Sequence, residues 1–256
     1  SLVGATPVFI DIKEKTFNIN PELLENQIKK TLDEGKLKPK AIIAVDLFGQ
    51  LADYEKLEKI AKKYNLFLIE DAAQSFGATY NNKKSCSFGD VAATSFFPAK
   101  PLGCYGDGGA IFTNNNELAK KIKMIVNHGE NKKYHHKIIG CNSRLDSIQA
   151  EILNIKLKYI DQYNSNRQIM ATNYNMAFKD IKNIQTPELI TNSTHVYHQY
   201  TIKILDGRRD ELKNFLQDKG IPTMIYYPIP LYKQEAFRKY VEDDYYLNNT
   251  EALSHN

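Results

Sequence analysis

Two residues in this sequence have the types and positions to act together on a ligand. Asp71 closes the apolar run LFLIED, and Lys100 follows the run VAATSFF inside the apolar stretch SFFPAKPLG. In open α/β sheets, ligands bind beyond the carboxyl ends of the strands, so both side chains could reach one edge. Apolar surroundings lower the pKa of a lysine and favour the nucleophilic free amine. The residues alone leave two alternatives open, a turn or cap role for Asp71 and a solvated charge for Lys100.

The glycines that follow Lys100 suggest a phosphate loop, but they fail its tests. They stand at positions 103, 106, 108 and 109, and no Gly-Lys-Ser/Thr sequence follows. The cluster leads into the strand pattern GAIFTN and not into a helix, so the dinucleotide fingerprint lacks its structural context. We therefore interpret the cluster as a tight turn in which glycine permits close backbone approach.

A third polar cluster lies in the segment YHHKIIGCNSRLD. Asn142 and Arg144 are one residue apart, so they face the same way in an extended chain, and the arginine fork suits phosphate or carboxylate. The alternative is a surface arginine paired with Asp146 or Glu151. The adjacent histidines, of which His136 is the second, point to different sides and do not indicate a metal site.

Composition excludes several functional classes. The chain has 256 residues, 42% of them hydrophobic and 25% charged, which is typical of a globular protein. Its net charge of +4 is spread along the chain, so we expect no nucleic-acid partner. There is no apolar run long enough for a membrane helix. The three cysteines form no C-x-x-C pair, which predicts neither a metal site nor disulfides and favours the cytoplasm.

The first part of the chain alternates strand and helix patterns. Predicted strands are TPVFIDI, AIIAVDLFG and LFLIED, and predicted helices lie between them. Asn20 fits a helix N-cap, Pro21 a first helical position and Gly35 a helix end. Continuous apolar strands are typical of parallel sheets that are buried on both faces. The pattern predicts an α/β fold with a mostly parallel sheet flanked by helices.

We divide the chain into three predicted parts. Residues 1–145 form part of a large α/β domain, 146–180 a long connecting helix, and 181–256 a small α+β domain. Within the last part, IPTMIYYPIPLY is predicted to be a strand with prolines at its far end.

These motifs together resemble the DegT/DnrJ/EryC1/StrS family of nucleotide-sugar aminotransferases, which have fold type I and use pyridoxal 5'-phosphate (PLP). The matching stretches are GATPVFIDI, IEDAAQSFGA, GDVAATSFFPAKPLG with GDGGAIFTN, and NSRLDSIQAEIL. The stretch GIPTMIYYPIPLYKQEAF matches less strictly. The resemblance covers nearly the whole chain.

The resemblance implies a role for each candidate at the sheet edge. Lys100 would form the Schiff base with PLP and then act as general acid and base. Asp71 would pair with the pyridine nitrogen and keep it protonated, which makes the ring an electron sink. Gln74 would lie against the ring, and Ser95 would lie near the cofactor phosphate.

The resemblance also implies residues for the substrate and the partner subunit. Asn142 and Arg144 would reach into the neighbouring subunit's site, which implies a homodimer with shared active sites. There they would contact the PLP phosphate or the substrate. His136 lies in a stretch similar to the subgroup acting on UDP-2-acetamido-3-keto sugars, including the glucuronate, where Arg144 could meet a carboxylate. Tyr226 and Tyr227 would face the sugar. Many family members have histidine where Tyr226 stands, which leaves the sugar open.

The expected function is amino transfer from an amino acid, with glutamate as donor, to a nucleotide-linked keto sugar for polysaccharide or glycan synthesis. The alternatives are amination at C4 and a non-catalytic homologue that senses a sugar nucleotide. A sugar dehydratase is disfavoured, because those relatives have histidine where Lys100 stands. The family begins earlier than this chain and continues beyond it. We therefore expect an internal fragment that binds PLP weakly or not at all by itself, without the segment that cradles the phosphate.

Overall fold

The computed structural model describes all residues, Ser1–Asn256, and these form two compact units. The sheet unit comprises Pro39–Met170 and Leu189–Gln199. The terminal unit comprises Ser1–Lys38, Ala171–Glu188 and Tyr200–Asn256.

The sheet unit is built on four short strands in one sheet. The strands in chain order are β1 (Ala41–Val45), β2 (Phe67–Asp71), β5 (Val91–Ser95) and β6 (Gly109–Phe112). Between β2 and β5 lies a hairpin of β3 (Thr79–Tyr80) and β4 (Lys83–Lys84). The sheet order is β1-β2-β5-β6, with β1, β2 and β5 parallel and β6 antiparallel to β5. The predicted α/β fold with a mostly parallel sheet is confirmed.

Helices and a second hairpin complete the sheet unit. They are α2 (Tyr54–Tyr64), α3 (Asn116–Ile125), the hairpin of β7 (Glu130–Lys132) and β8 (His135–His136), α4 (Ser147–Leu157) and the start of α5 (Ile160–Phe178). A 3-10 turn follows β1 at Leu47–Gly49. In α2, Leu57, Ile60 and Ala61 are buried, which is the face that its pattern predicts.

The predicted burial of the strands on both faces is wrong. In β1 the burial alternates, and Ile43 is 61% exposed while Ile42 is buried. In β2, Phe67 is 60% exposed while Leu68 is buried. Apolar residue type therefore predicted β1 and β2 correctly but did not determine which of their faces are covered.

The long helix expected over 146–180 is divided. The helix α4 ends at Leu157 and α5 begins at Ile160. At the break, the Tyr159 N–H bonds to the carbonyl of Lys156, a tighter turn than α-helical spacing gives. Leu153 and Ile160, on either side of the break, pack in one cluster with the buried residues Phe96, Leu102 and Cys104. The sequence has neither glycine nor proline at this point.

The terminal unit has little regular sheet. It contains α1 (Pro21–Glu34), the later part of α5, the two-stranded pair of β9 (Ile184–Gln185) and β10 (Lys203–Ile204), α6 (Arg209–Asp218) and α7 (Asn248–His255). Short 3-10 helices occupy Leu231–Lys233 and Glu235–Tyr240. The caps expected for α1 are observed, since Asn20 accepts from the N–H groups of Glu22 and Leu23 and Gly35 ends the helix with φ 65°.

Two expected strands are absent from the terminal unit. The run Thr6–Ile12 makes only an isolated bridge from Ile12 to Ile19, because no neighbouring strand pairs with it. The run IPTMIYYPIPLY has no strand assignment. Its prolines, Pro222, Pro228 and Pro230, lack the N–H groups that a sheet needs.

No helix combines the length and apolar character that a membrane crossing requires. No group of three or more His, Cys, Asp or Glu side chains could hold a metal ion. The three cysteines are free.

Candidate active site

The carboxyl edge of the sheet brings Asp71, Ser95 and Lys100 into one region. Asp71, the last residue of β2, is paired in register with Ala93 of β5, and Ser95 ends β5 two residues later. The chain then makes a turn in which the Lys100 N–H bonds to the Phe97 carbonyl at 2.9 Å. The parallel register therefore places the carboxyl ends of both strands at the same edge of the sheet.

Lys100 is half-buried and interacts electrostatically with Asp71. Burial lowers the pKa of its ammonium group, and the Asp71 carboxylate opposes that shift. The solvated-charge alternative for Lys100 therefore does not describe this side chain. The amine is more easily deprotonated than an ordinary lysine and keeps an acid close by.

Asp71 has the turn role that the sequence left open, and its ligand role stays a prediction. Its Oδ1 accepts from the Ala73 N–H at 3.1 Å, as in an Asx turn. No hydrogen bond within the chain engages Oδ2. One carboxylate oxygen therefore shapes the turn after β2, and the other has capacity to accept from a ligand.

Ser95 and Gln74 are both fixed by neighbouring backbone. The Ser95 hydroxyl oxygen accepts from the Phe97 N–H at 3.2 Å, so its own hydrogen can still be donated. Gln74 is buried, and its Oε1 accepts from the Phe48 N–H at 2.5 Å. PLP needs a lysine amine at its aldehyde, an acid at its pyridine nitrogen and hydrogen-bond donors at its phosphate. The Lys100 amine, the free Asp71 oxygen and the Ser95 hydroxyl fit these three needs at one sheet edge.

Glycine is required at position 103, in the turn that carries Lys100. A Cβ on Gly103 would lie 2.5 Å from the Pro98 carbonyl oxygen, inside the turn that carries Lys100. The Lys156 ammonium of α4 also donates to the Gly103 carbonyl at 2.7 Å. The glycine cluster therefore acts as a tight turn, in agreement with the interpretation from sequence.

The candidates Asn142, Arg144 and His136 lie in an exposed part of the sheet unit. The Arg144 Nε donates to Asn142 Oδ1 at 2.8 Å, so the two side chains face the same way as expected. Arg144 pairs with neither of the acids that follow it. His136 Nδ1 lies 2.9 Å from the His128 carbonyl. These residues are thus grouped with each other, and their predicted roles stay predictions.

Tyr226 and Tyr227 belong to the terminal unit. They are 38% and 49% exposed, and their rings meet edge to face with centroids 5.4 Å apart. Their predicted contact with a sugar stays a prediction.

The sequence did not indicate His198, which the structure brings into the electrostatic field of Lys100 and Arg167. Burial lowers the pKa of His198 to about 4, and the two cations add to that shift. The segment reaches this position because the Val196 N–H bonds to the Gly49 carbonyl and the Gln199 N–H to the Phe48 carbonyl. This pairing joins distant parts of the chain, so residue spacing carries no sign of it.

Gly49 permits that pairing. Its φ is +106°. A Cβ there would lie 2.9 Å from Val196 Cγ2, 3.0 Å from the backbone nitrogen of His198 and 3.1 Å from the backbone carbonyl oxygen of Gln74. The segment that carries His198 and the turn that carries Gln74 therefore both pack against one glycine.

Three curated relatives cover most of this chain. The UDP-2-acetamido-2-deoxy-3-oxo-D-glucuronate aminotransferase of Pseudomonas aeruginosa is 48% identical over 92% of this chain and 63% of its own length. The pleiotropic regulatory protein of Geobacillus stearothermophilus is 46% identical over 91% and 61%. The dTDP-3-amino-3,6-dideoxy-alpha-D-galactopyranose transaminase of Aneurinibacillus thermoaerophilus is 42% identical over 94% and 64%. The chain thus spans less than two thirds of the length of these relatives.

Solved structures agree with these relatives. A DegT DnrJ EryC1 StrS aminotransferase from Brucella abortus superimposes with a TM-score of 0.94 at 46% identity, covering 99% of this chain and 67% of that structure. The Bacillus subtilis protein NtdA with bound cofactor PMP, the amine form of PLP, superimposes with a TM-score of 0.83 at 32% identity, covering 97% and 56%. Aminotransferases of this family use PLP.

The family model matches residues 1–256, which is the whole chain. The resemblance inferred from the motifs around Asp71 and Lys100 is confirmed, as is the likeness to the UDP-2-acetamido-3-keto-sugar subgroup. The chain belongs to the DegT/DnrJ/EryC1/StrS aminotransferase family.

Proposed function

We propose that this chain carries the cofactor site of an aminotransferase that uses PLP. The enzyme would move an amino group from an amino acid, with glutamate as the expected donor, to a nucleotide-linked keto sugar. The observation that carries the proposal is the half-buried Lys100 beside the Asp71 carboxylate at the carboxyl edge of a parallel sheet. A desolvated amine with an acid beside it is the pair of groups that this chemistry requires.

When bound, PLP supplies an electron sink for the electrons of the breaking C–H bond. Asp71 Oδ2 would accept from the pyridine N–H and keep that nitrogen protonated. The Ser95 hydroxyl would donate to the phosphate, and Gln74, held by Phe48, would lie against the ring. The Lys100 Nζ would take up and return the proton as general base and acid, which its lowered pKa favours.

The substrate class follows from the relatives and from Arg144. Two of the relatives act on nucleotide sugars, one of them a UDP-linked 3-oxo glucuronate. An exposed guanidinium with no acidic partner can bind a carboxylate in a bidentate manner. We therefore propose a UDP-2-acetamido-3-keto sugar, with Arg144 and Asn142 reaching a neighbouring subunit's site and Tyr226, Tyr227 and His136 near the sugar. The homodimer and the cytoplasmic location are part of this proposal.

The decisive experiment compares the enzyme with Lys100→Ala. After addition of PLP and reduction with borohydride, mass spectrometry of peptides should locate the cofactor on Lys100 in the wild type. The variant should not be labelled and should not form the amino sugar from glutamate and a UDP-linked keto sugar. Lys121→Ala, at an exposed position of α3, is the lysine control and should still be labelled on Lys100. Equal amino transfer by wild type and Lys100→Ala would contradict the proposal.

A regulatory role is the second candidate, because one relative at 46% identity is a pleiotropic regulatory protein. A sensor would bind the sugar nucleotide without consuming glutamate. Isothermal titration together with product analysis separates the two functions. The same product analysis, by NMR of the amino sugar, distinguishes amination at C3 from the alternative at C4.

A further inference from the structure

Two acids that the proposed chemistry does not use are fully buried next to Asp71. Asp46 follows β1, and Glu70 precedes Asp71 in β2; both are 0% exposed. Successive strand residues point to opposite faces, so Glu70 lies with Leu68 on the buried face and Asp71 on the other. Asp46 shares the buried face with Ala44. The two acids therefore meet behind the strand end that carries Asp71.

The hydrogen bonds of Glu70 are those of an ionised carboxylate. Its Oε1 accepts from the Cys86 N–H at 2.7 Å and its Oε2 from the Phe88 N–H at 2.9 Å. The Glu70 and Asp46 carboxyl groups also interact, since each acts on the pKa of the other. Two ionised carboxylates buried this close would repel each other, so a proton held between them is favoured.

The hydrogen bonds of Asp46 leave its Oδ2 with capacity to hold that proton. Its Oδ1 accepts from the Ala52 N–H at 3.0 Å and the Tyr54 hydroxyl at 2.9 Å, and its Oδ2 lies 2.7 Å from the Ser75 hydroxyl. Neither acid forms a salt bridge with a lysine, arginine or histidine. Two charges buried without a cation would be very costly, so one proton is retained.

The other titratable groups facing the pair do not neutralise it. They are the Tyr54 phenol, the Cys86 thiol and, across the sheet, the Asp71 carboxylate. Burial raises the pKa of Tyr54 well above its usual value and that of Cys86 to about 12, so both stay protonated and uncharged. Burial, aided by the Glu70 charge, likewise raises the pKa of Asp46.

We propose that Asp46 and Glu70 share one proton at neutral pH and act as a positioning pair for Asp71 and Gln74. The pair ties together three segments that follow β1, β2 and β4, through the partners Ala52, Tyr54, Ser75, Ser85, Cys86 and Phe88. The Asp46 N–H also donates to the Asp71 carbonyl at 3.0 Å. That these segments hold a cofactor rests on the proposed function; the shared proton does not.

The first test measures unfolding of the chain against pH for wild type and Asp46→Asn. In the variant, an amide hydrogen replaces the shared proton and Oδ1 keeps the Ala52 and Tyr54 bonds. Glu70 can then stay ionised against N–H donors alone, so the pair takes up no extra proton on folding. The folded wild type holds a proton that the unfolded acid, with a pKa near 4, releases. Its unfolding equilibrium constant should therefore rise about tenfold more per pH unit than that of Asp46→Asn, from about pH 5 to the raised folded pKa. Exposed Glu58→Gln should follow the wild type, and parallel curves for wild type and Asp46→Asn would overturn the shared proton.

The second test follows amide hydrogen exchange in the chain without cofactor. Asp46→Ala should increase exchange in residues 71–78 and 85–88, and Asp46→Asn should restore wild-type protection. If Asp46→Ala does not fold, Glu70→Gln replaces it. The amide nitrogen that then stands in place of one carboxylate oxygen cannot accept, so either the Cys86 or the Phe88 bond is lost. Exchange in these segments that is the same in the disrupted variant and the wild type would overturn the positioning role. If Lys100→Ala transfers amino groups as well as the wild type, the proposed function fails while both of these measurements still decide on the pair.

Discussion

At the scale of single residues, His198 is the side chain near Lys100 that residue spacing did not reveal. Burial and two neighbouring cations lower its pKa to about 4, so it is neutral through the physiological range. A neutral imidazole beside a lysine amine adds no competing positive charge. It can donate or accept a hydrogen bond there.

The lowered pKa predicts a change in the pH dependence of stability. The unfolded chain binds a proton at this histidine below about pH 6.5, while the folded chain does not until about pH 4. Stability should therefore fall as the pH drops through this window, by about 1.4 kcal/mol per pH unit from His198. His198→Gln should remove that contribution in urea unfolding between pH 6.5 and 4.5. Exposed His135→Gln should not, and an unchanged slope in His198→Gln would contradict the buried neutral state.

Gly103 gives a second prediction at the residue scale. A methyl group there would lie 2.5 Å from the Pro98 carbonyl oxygen, so Gly103→Ala must displace the turn that carries Lys100. We expect a loss of about 1–3 kcal/mol in urea unfolding, typical of overpacking. Gly106→Ala is the matched control, because its methyl group would meet only the flexible Gln149 side chain, at 3.2 Å. Equal stabilities of the two variants would show that the turn is not restrained there.

At the scale of elements, the caps of two helices show what local sequence can predict. The cap of α1 is local, since Asn20 precedes the helix and accepts from its first N–H groups. The N-terminus of α7 is capped instead by Asp11, which accepts from the Asn249 and Thr250 N–H groups and the Thr250 hydroxyl. More than two hundred residues separate this cap from its helix, so no sequence pattern near α7 contains it.

Asp11 should contribute more to stability than Asn20. Asp11 is buried, and its loss would leave several donors without an acceptor, whereas the partners of Asn20 are exposed. We expect Asp11→Ala to cost about 2–3 kcal/mol and Asn20→Ala about 1 kcal/mol of unfolding free energy. Chemical denaturation of the two variants in parallel measures this. A smaller loss for Asp11→Ala would show that α7 finds its cap elsewhere.

Elements with strong local patterns were predicted well, and those that depend on partners were not. The caps expected for α1 and the apolar face expected for α2 were both observed. The expected strand at Thr6–Ile12 has the right residue types but no strand beside it. A strand needs hydrogen-bonding partners from elsewhere in the chain, whereas a helix satisfies its own backbone.

At the scale of the whole molecule, the proposed homodimer with shared sites can be tested by mixing two inactive variants. Lys100→Ala would disable the site of its own subunit, and Arg144→Ala the site of its neighbour. A mixed dimer then has one site with both changes and one with neither. After unfolding and refolding together, the equimolar mixture should recover about a quarter of wild-type activity. Recovery no greater than either variant alone would show that Arg144 acts in its own subunit.

The sequence by itself determined the family, the parallel sheet and the identity of Asp71 and Lys100 at its edge. It did so because strand and helix patterns, glycines and the EDAAQ and SFFPAK motifs are local features. Only the tertiary structure brought His198 beside Lys100, Asp11 to α7, and Asp46 against Glu70. Each of these pairs joins positions far apart in the chain, and burial sets their chemistry by removing the water that would otherwise screen the charges.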